Sequence, residues 1–206
     1  DNEARALPKV MTSLRDGLNV ALVSDAGSPS VSDPGFTLVR ACLAEGIEVS
    51  AIPGATAAVT ALTLSGLPVH SFTFRGFPPR RSSQRKRFFE AELKSTHTQI
   101  YYESPHRLVE FLQDALEVFG DRDAAVAKDL TKLFEKVDRG TLSELLNHAL
   151  ETEPRGEYTV VIAGAEEEID SARAERAEKK RRYKEQSLRE RGELAADADC
   201  AREGEA

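Results

Sequence analysis

Asp25 and Asp33 bracket a stretch rich in small and polar residues, Ser24-Asp25-Ala26-Gly27-Ser28-Pro29-Ser30-Val31-Ser32-Asp33-Pro34-Gly35, directly after the apolar run Val20-Ala21-Leu22-Val23. Glycine and proline expose backbone amides and carbonyls there, and the two acids add hydrogen-bond acceptors. The order reads as strand, loop, helix, so the loop lies at the carboxyl end of a strand, where open α/β sheets hold ligands. A second break of the same kind, Pro53-Gly54-Ala55-Thr56-Ala57, follows the strand expected at Ile47–Ile52. Two such loops close together suggest one small-molecule site. Gly27-Ser28-Pro29 by itself also fits a tight turn in any α/β protein. Asp33, just before Pro34-Gly35, is the better candidate for a helix cap. Asp25 stays open between a ligand contact and a local turn.

Three further groups carry chemistry. Glu103, His106 and Arg107 sit where a strand ends and a helix begins, a substrate-facing position; charge alone also favours Glu103 near a helix N-terminus. Lys128-Asp129-Leu130-Thr131-Lys132 follows another strand. Arg75, Arg80, Arg81, Arg85, Lys86 and Arg87 form a run with no acid among them, interleaved with Phe77, Phe88 and Phe89. Such a ridge suits phosphate binding. The plainer reading is a solvated helix face backed by core phenylalanines, and Phe89 with Leu93 has core spacing.

These groups need elements to position them. Leu7, Val10, Met11 and Leu14 have helical spacing, and Gly17 ends that helix. Val20–Val23 reads as a short buried strand. Leu38, Val39, Cys42 and Leu43 form a stripe ending at Gly46. Thr56–Ser65 reads as an apolar helix closed by Gly66. This alternation implies parallel pairing. Gly76-Phe77-Pro78-Pro79 breaks the rhythm and marks a domain boundary. Beyond it come a helix at about residues 83–94, a strand at Thr98–Tyr102 and a first-turn proline at Pro105. A long amphipathic helix then ends at Gly120. Strands at Ala124–Lys128 and Leu133–Asp138 follow. Thr141 and Glu144 make a capping box, and the last strand is Tyr158–Ala163. After Gly164 the chain turns highly charged, as a solvated helix or a disordered tail does.

The 206 residues carry a net charge of −7, so a nucleic-acid contact needs a local basic patch. Cys42 and Cys200 match no metal spacing and point to a reducing compartment, which places the protein in the cytoplasm. No apolar run reaches membrane-spanning length, so no membrane partner is expected.

The motifs together resemble the tetrapyrrole-methylase superfamily. They are Ser24–Pro29, Ser32–Gly35, Pro53–Ala57, Gly76-Phe77-Pro78-Pro79, Tyr102-Glu103-Ser104-Pro105-His106-Arg107 and Asp129-Leu130-Thr131-Lys132. The last three resemble the branch that methylates a ribose 2′-hydroxyl of a cytidine in small-subunit ribosomal RNA. The similarity runs from about Asp1 to Gly164. The resemblance implies an α/β fold of two domains with the donor cleft between them: an incomplete first domain at 1–75, a second at 76–164, and a tail at 165–206. Family members begin with a strand and a Pro-x-Gly-Asn-Leu loop before the point matching Asp1. Residues 1–206 alone are therefore expected to be inactive or nearly so.

By the same resemblance S-adenosylmethionine is the cofactor, contacted by Gly27, Ser28, Pro29, Thr56 and Ala57, with Asp25 and Leu130 beside them. The substrate is small-subunit rRNA or the 30S particle, met by Arg75, Arg80, Arg81, Arg85, Arg87 and Arg107. The protein is expected to be a homodimer. No metal is required, since a sulfonium transfers its methyl without one. A ribose hydroxyl is a poor nucleophile and needs a proton acceptor; Glu103, Asp129 and Lys132 are the candidates. The family usually shows Arg-Glu-Leu-Thr-Lys where this chain has Lys128-Asp129-Leu130-Thr131-Lys132, so roles that depend on reach are affected. Two alternatives stay open: a methyltransferase acting on a tetrapyrrole, against which the basic ridge argues, and a non-catalytic RNA-binding remnant.

Overall fold

A computed structural model of the chain describes residues 3–166 and Lys179. The chain divides into residues 1–165 and 166–206, and the fold below is that of the first unit. The charged tail beyond Glu166, apart from Lys179, lies outside the described residues.

The fold is mixed α/β. Five strands, β1 (Phe72–Gly76), β2 (Thr98–Glu103), β3 (Asp123–Lys128), β4 (Lys136–Thr141) and β5 (Tyr158–Ile162), form one sheet in the order β1-β2-β5-β3-β4. β5 lies at its centre, flanked on both edges, and all five of its residues are buried. A strand covered on both faces must be apolar throughout, and Tyr-Thr-Val-Val-Ile nearly is. Only β1 and β2 pair in parallel; the other three pairings are antiparallel.

Side chains on successive strand residues point to opposite faces, and two cores follow. On one face Tyr101, Val126, Val160 and Ile162 pack with Phe89, Phe111, Leu112, Phe119, Leu142 and Leu145. These come from helices α4 (Ser82–Glu90), α5 (Leu108–Phe119) and α6 (Leu142–Glu151), named in chain order after α1 (Glu3–Arg15), α2 (Phe36–Ala44) and α3 (Ala57–Ser65). On the other face Ile100, Ala125, Ala127 and Val161 meet Ala58, Ala61 and Leu62 of α3. The small alanines of β3 let α3 approach closely. The capping box opens α6: Thr141 accepts from the Glu144 amide, and Glu144 accepts from the Thr141 amide. Gly66 ends α3 in the left-handed conformation, φ 79°.

Four expectations are corrected. Val20–Val23 and Ile47–Ile52 are not strands; Val23 is 82% and Ile52 92% exposed. A strand needs a neighbour to complete its hydrogen-bond ladder, and among the described residues neither segment has one. For the same reason the parallel pairing expected in the first half is not formed. The segment Leu133–Asp138 starts as a turn, with Leu133 89% exposed, and β4 begins only at Lys136. Asp33 does not cap α2. Glu3 of α1 does so from a distance, accepting from the Gly35 and Thr37 amides at 3.0 and 3.1 Å.

Candidate functional site

The loops at 25–33 and 55–57 meet, although each leaves an irregular segment rather than a strand. Ser28 Oγ donates to the Ala55 carbonyl at 3.4 Å. Gly27 has φ +76°, and a Cβ there would lie 3.4 Å from the same carbonyl. A Cβ at Gly54 would lie 3.4 Å from Ser28 Oγ. Ser30 and Ser32 also hold left-handed backbone, φ 71° and 62°, a conformation costing of order 1–3 kcal/mol in a non-glycine residue. Gly35, at φ 138°, admits no side chain, because a Cβ would fall 2.5 Å from Leu22 Cδ2 and Ser30 Oγ.

These loops form one wall of a cavity of about 530 Å³, within the range of roughly 300–1,000 Å³ typical of small-molecule sites. Asp25, Gly27, Ser28, Asp33, Thr56 and Ala57 line it on that side. Opposite stand the carboxyl ends of β2 and β3, through Tyr102, Glu103, Leu130, Thr131 and Lys132. Pro29 is not among the lining residues.

Tyr102 joins the two walls. Its hydroxyl accepts from the Ala58 amide at 3.2 Å, in the first turn of α3. Its ring meets Phe74 edge-on at 4.8 Å and Phe77 at 5.5 Å. Sequence reasoning missed Tyr102 and Phe77 as lining residues. The available signal was the place of Tyr102 immediately before Glu103, at the end of a strand.

Glu103 has a fully buried side chain. Its Oε1 accepts from the Ser104 amide at 2.7 Å and pairs with Arg107 Nη2 at 2.5 Å. Its Oε2 is buried and has no hydrogen-bond partner among the described residues. A buried polar atom left unsatisfied costs about 1–3 kcal/mol, more when charged. Arg107 also donates to the Pro78 carbonyl at 3.4 Å, tying β2's end to the Phe77-Pro78 segment.

Asp129 turns away from the cavity. Its Oδ1 accepts from the Glu157 amide at 3.1 Å, and its carboxylate lies so close over Gly156 that a Cβ there would clash. Lys132 lines the cavity but pairs with Glu157 at 2.8 Å, and that hydrogen bond raises its pKa. Thr131 has φ 64°, unfavourable for a β-branched residue, and its amide is held by Glu135 Oε2 at 2.6 Å.

The basic ridge comes apart. Arg80, Arg81 and Arg87 are exposed. Arg85 has no exposed surface: its Nε donates to Asp114 Oδ2 at 2.7 Å, and Nη1 donates to the Arg80 carbonyl at 3.1 Å. It cannot reach a phosphate, because a guanidinium buried in an apolar setting needs its counter-charge. Arg75 lies over the Phe88 ring at 4.5 Å and pairs with Glu92 at 3.2 Å. Lys86 is engaged by Glu117, which raises its pKa. Arg107 serves Glu103. Among the described residues, Arg80, Arg81 and Arg87 of the expected set form no ion pair. Among the described residues no cluster of three or more His, Cys, Asp or Glu side chains is placed to hold a metal.

The family profile of tetrapyrrole (corrin/porphyrin) methylases matches residues 1–146. The chain is 45% identical over 162 residues to the ribosomal RNA small subunit methyltransferase I of Halalkalibacterium halodurans, covering 79% of this chain and 56% of that protein. It is 41% identical over 165 residues to the protein of that name from Thermotoga maritima, covering 80% and 74%. The chain thus spans little more than half the length of the first relative. Among solved structures the methyltransferase CobJ superposes with a TM-score of 0.60 at 19% identity, covering 79% of this chain and 72% of that one.

Proposed function

The chain belongs to the tetrapyrrole methylase family, and on that premise we propose that it takes part in S-adenosylmethionine-dependent methylation of a ribose 2′-hydroxyl in small-subunit rRNA. The observation that carries the reading is the contact between Ser28 and Ala55, which joins the two loops into one wall of the cavity. The names borne by the two relatives supply the substrate class.

The residues present fit the donor. The cavity has the size for it and is mostly apolar, with a few convergent polar groups. Gly27 and Gly54 keep backbone bare at the loop contact. In this reading Asp25, Gly27, Ser28, Thr56, Ala57 and Leu130 hold the donor. Pro29 shapes the loop without touching the ligand. S-adenosylmethionine supplies, when bound, an activated methyl on a sulfonium. The chain's own work is then to orient the ribose hydroxyl, exclude water and take one proton. Positioning contributes much of the rate in such a step. Arg80, Arg81 and Arg87, all exposed, meet RNA phosphates. Residues 1–75 carry the donor loops and 76–164 the acceptor-facing strand ends, with α3 and β1 tying the two parts together.

A homodimer acting on the 30S particle in the cytoplasm completes the proposal. No helix among the described residues is long and apolar enough to cross a membrane. The test is radiolabelled methyl transfer by the gene product to unmodified 30S particles, read as ribose-methylated nucleotide. Light scattering gives the oligomeric state. Transfer to a tetrapyrrole and none to RNA would overturn the reading.

A further inference from the structure

We infer that Phe77 is the stacking platform for the base of the nucleotide whose ribose is methylated; this rests on the function proposed above. A 2′-hydroxyl reaches a donor held inside a cavity only when its nucleotide leaves the stack, and the base then loses its neighbours. Proteins replace that lost stacking with an aromatic face. Among the described residues three aromatic side chains line the cavity, Phe77, Tyr102 and Tyr158, and their surroundings separate them. Tyr158 is 9% exposed, and its hydroxyl accepts from the Arg155 amide at 3.3 Å. Tyr102 is half-buried, with its hydroxyl on the Ala58 amide and its ring against Phe74. Phe77 is 57% exposed. Leaving so much of a phenyl ring in water forgoes the burial that an aromatic side chain normally supplies.

The ring is aimed and held. It meets the Tyr102 ring at 5.5 Å and 62°, and Tyr102 packs against the core cluster on the α3 side of the sheet. Phe77 therefore stands on the cavity's side of the sheet, not on the side covered by α4 and α5. Gly76 turns the chain out of β1 at φ +63° and lies beside the 25–33 loop, where a Cβ would be 3.5 Å from Ser32 Oγ. Pro78, the next residue after Phe77, is buried, and its carbonyl accepts from Arg107 Nη1 at 3.4 Å. A ring whose two chain neighbours are anchored gives contact area at little cost in ordering. Arg80 and Arg81, both exposed, follow three and four residues later, at most roughly 10–14 Å along the chain. Phe77 takes the base while they take phosphates of the same strand. Every base has a π face, so this contact supplies affinity and position rather than base identity.

The experiment compares Phe77→Leu, Phe77→Tyr and Phe77→Trp in the gene product. Methylation of unmodified 30S particles gives kcat/KM, rRNA binding is followed against salt, and calorimetry gives the affinity for S-adenosylhomocysteine. Leucine keeps apolar bulk but has no π face. Phe77→Leu should lower kcat/KM roughly 5–150-fold, the scale of one base stacked on an aromatic ring. It should weaken rRNA binding without altering the salt slope, because stacking neutralises no phosphate. Its Tm and its affinity for S-adenosylhomocysteine should stay at the parent values. Phe77→Tyr and Phe77→Trp keep a π face and should stay near the parent in kcat/KM. A Phe77→Leu variant with the parent kcat/KM overturns the inference. So does one that loses S-adenosylhomocysteine, which would give the ring to the donor instead. A loss shared equally by the tyrosine and tryptophan variants overturns it independently of how Phe77→Leu folds. An unsubstituted protein that methylates no RNA overturns the proposed function itself, an outcome distinct from these.

Discussion

Arg85 sits in the middle of a run of arginines, yet its effect should be on folding alone. Its guanidinium is wholly buried between α4 and α5, with Nε and Nη2 both 2.7 Å from Asp114 Oδ2 and Nη1 on the Arg80 carbonyl. Replacing it by Met keeps most of the volume and removes the charge. Asp114 then retains Ser82 at 2.8 Å and Lys86 at 3.7 Å, both on Oδ1, and Oδ2 is left bare. Breaking a buried pair from one side costs about 3–5 kcal/mol, because a charge is left uncompensated. That is a fifth or more of the roughly 5–15 kcal/mol that holds a typical domain together. At about 2–4 °C per kcal/mol for a protein of this size, Tm should fall by roughly 6–20 °C. Urea denaturation of Arg85→Met measures the loss directly. Adding Asp114→Leu should recover most of it, since removing both partners leaves no orphan charge. The salt dependence of RNA binding, taken where the variant is still folded, should not change. A loss below about 1 kcal/mol, the scale of an exposed pair, would refute the argument, as would a flattened salt slope.

The converse variant, Arg80→Ala with Arg81→Ala and Arg87→Ala, should leave Tm nearly unchanged and reduce the salt slope of rRNA binding by about one unit for each phosphate no longer neutralised, three at most. Gly27→Val should abolish binding of S-adenosylhomocysteine in calorimetry and also destabilise the fold by about 1–2 kcal/mol, because φ +76° is strained for a residue with a Cβ; unchanged affinity would remove the loop from the donor site. Asp121 accepts from the amide and hydroxyl of Ser143, both at 2.8 Å, and these bonds hold its pKa below the ordinary carboxylate value. Its contribution is therefore present above the ordinary value and lost as pH falls through the lowered one. Asp121→Asn should be less stable than the parent at neutral pH, and the gap in denaturation midpoint should close as pH falls below the ordinary carboxylate range.

Much of the second half was legible in the sequence because its signals are local. The stripe from Leu108 to Phe119, the Thr141–Glu144 box and the run Tyr158–Ile162 each specify an element through neighbours a few residues away, and each forms where expected. The loops at 25–33 and 55–57 were also marked by their glycines and prolines, and they do meet. Pairing was not legible. Val20–Val23 and Ile47–Ile52 have strand composition but no partner among the described residues, and the ladder that makes a strand is a long-range property. Charge state and exposure were likewise hidden. Arg80, Arg81 and Arg85 are alike in a sequence; only the placement of Asp114 on α5 buries one and leaves the other two in solvent. Glu103 and Asp129 are two acids after two strands. What separates them is enclosure: packing seals Glu103 in with Arg107 and leaves Asp129 half-buried over the Gly156 turn, and only the tertiary structure decides this because burial is set by neighbours distant in the chain.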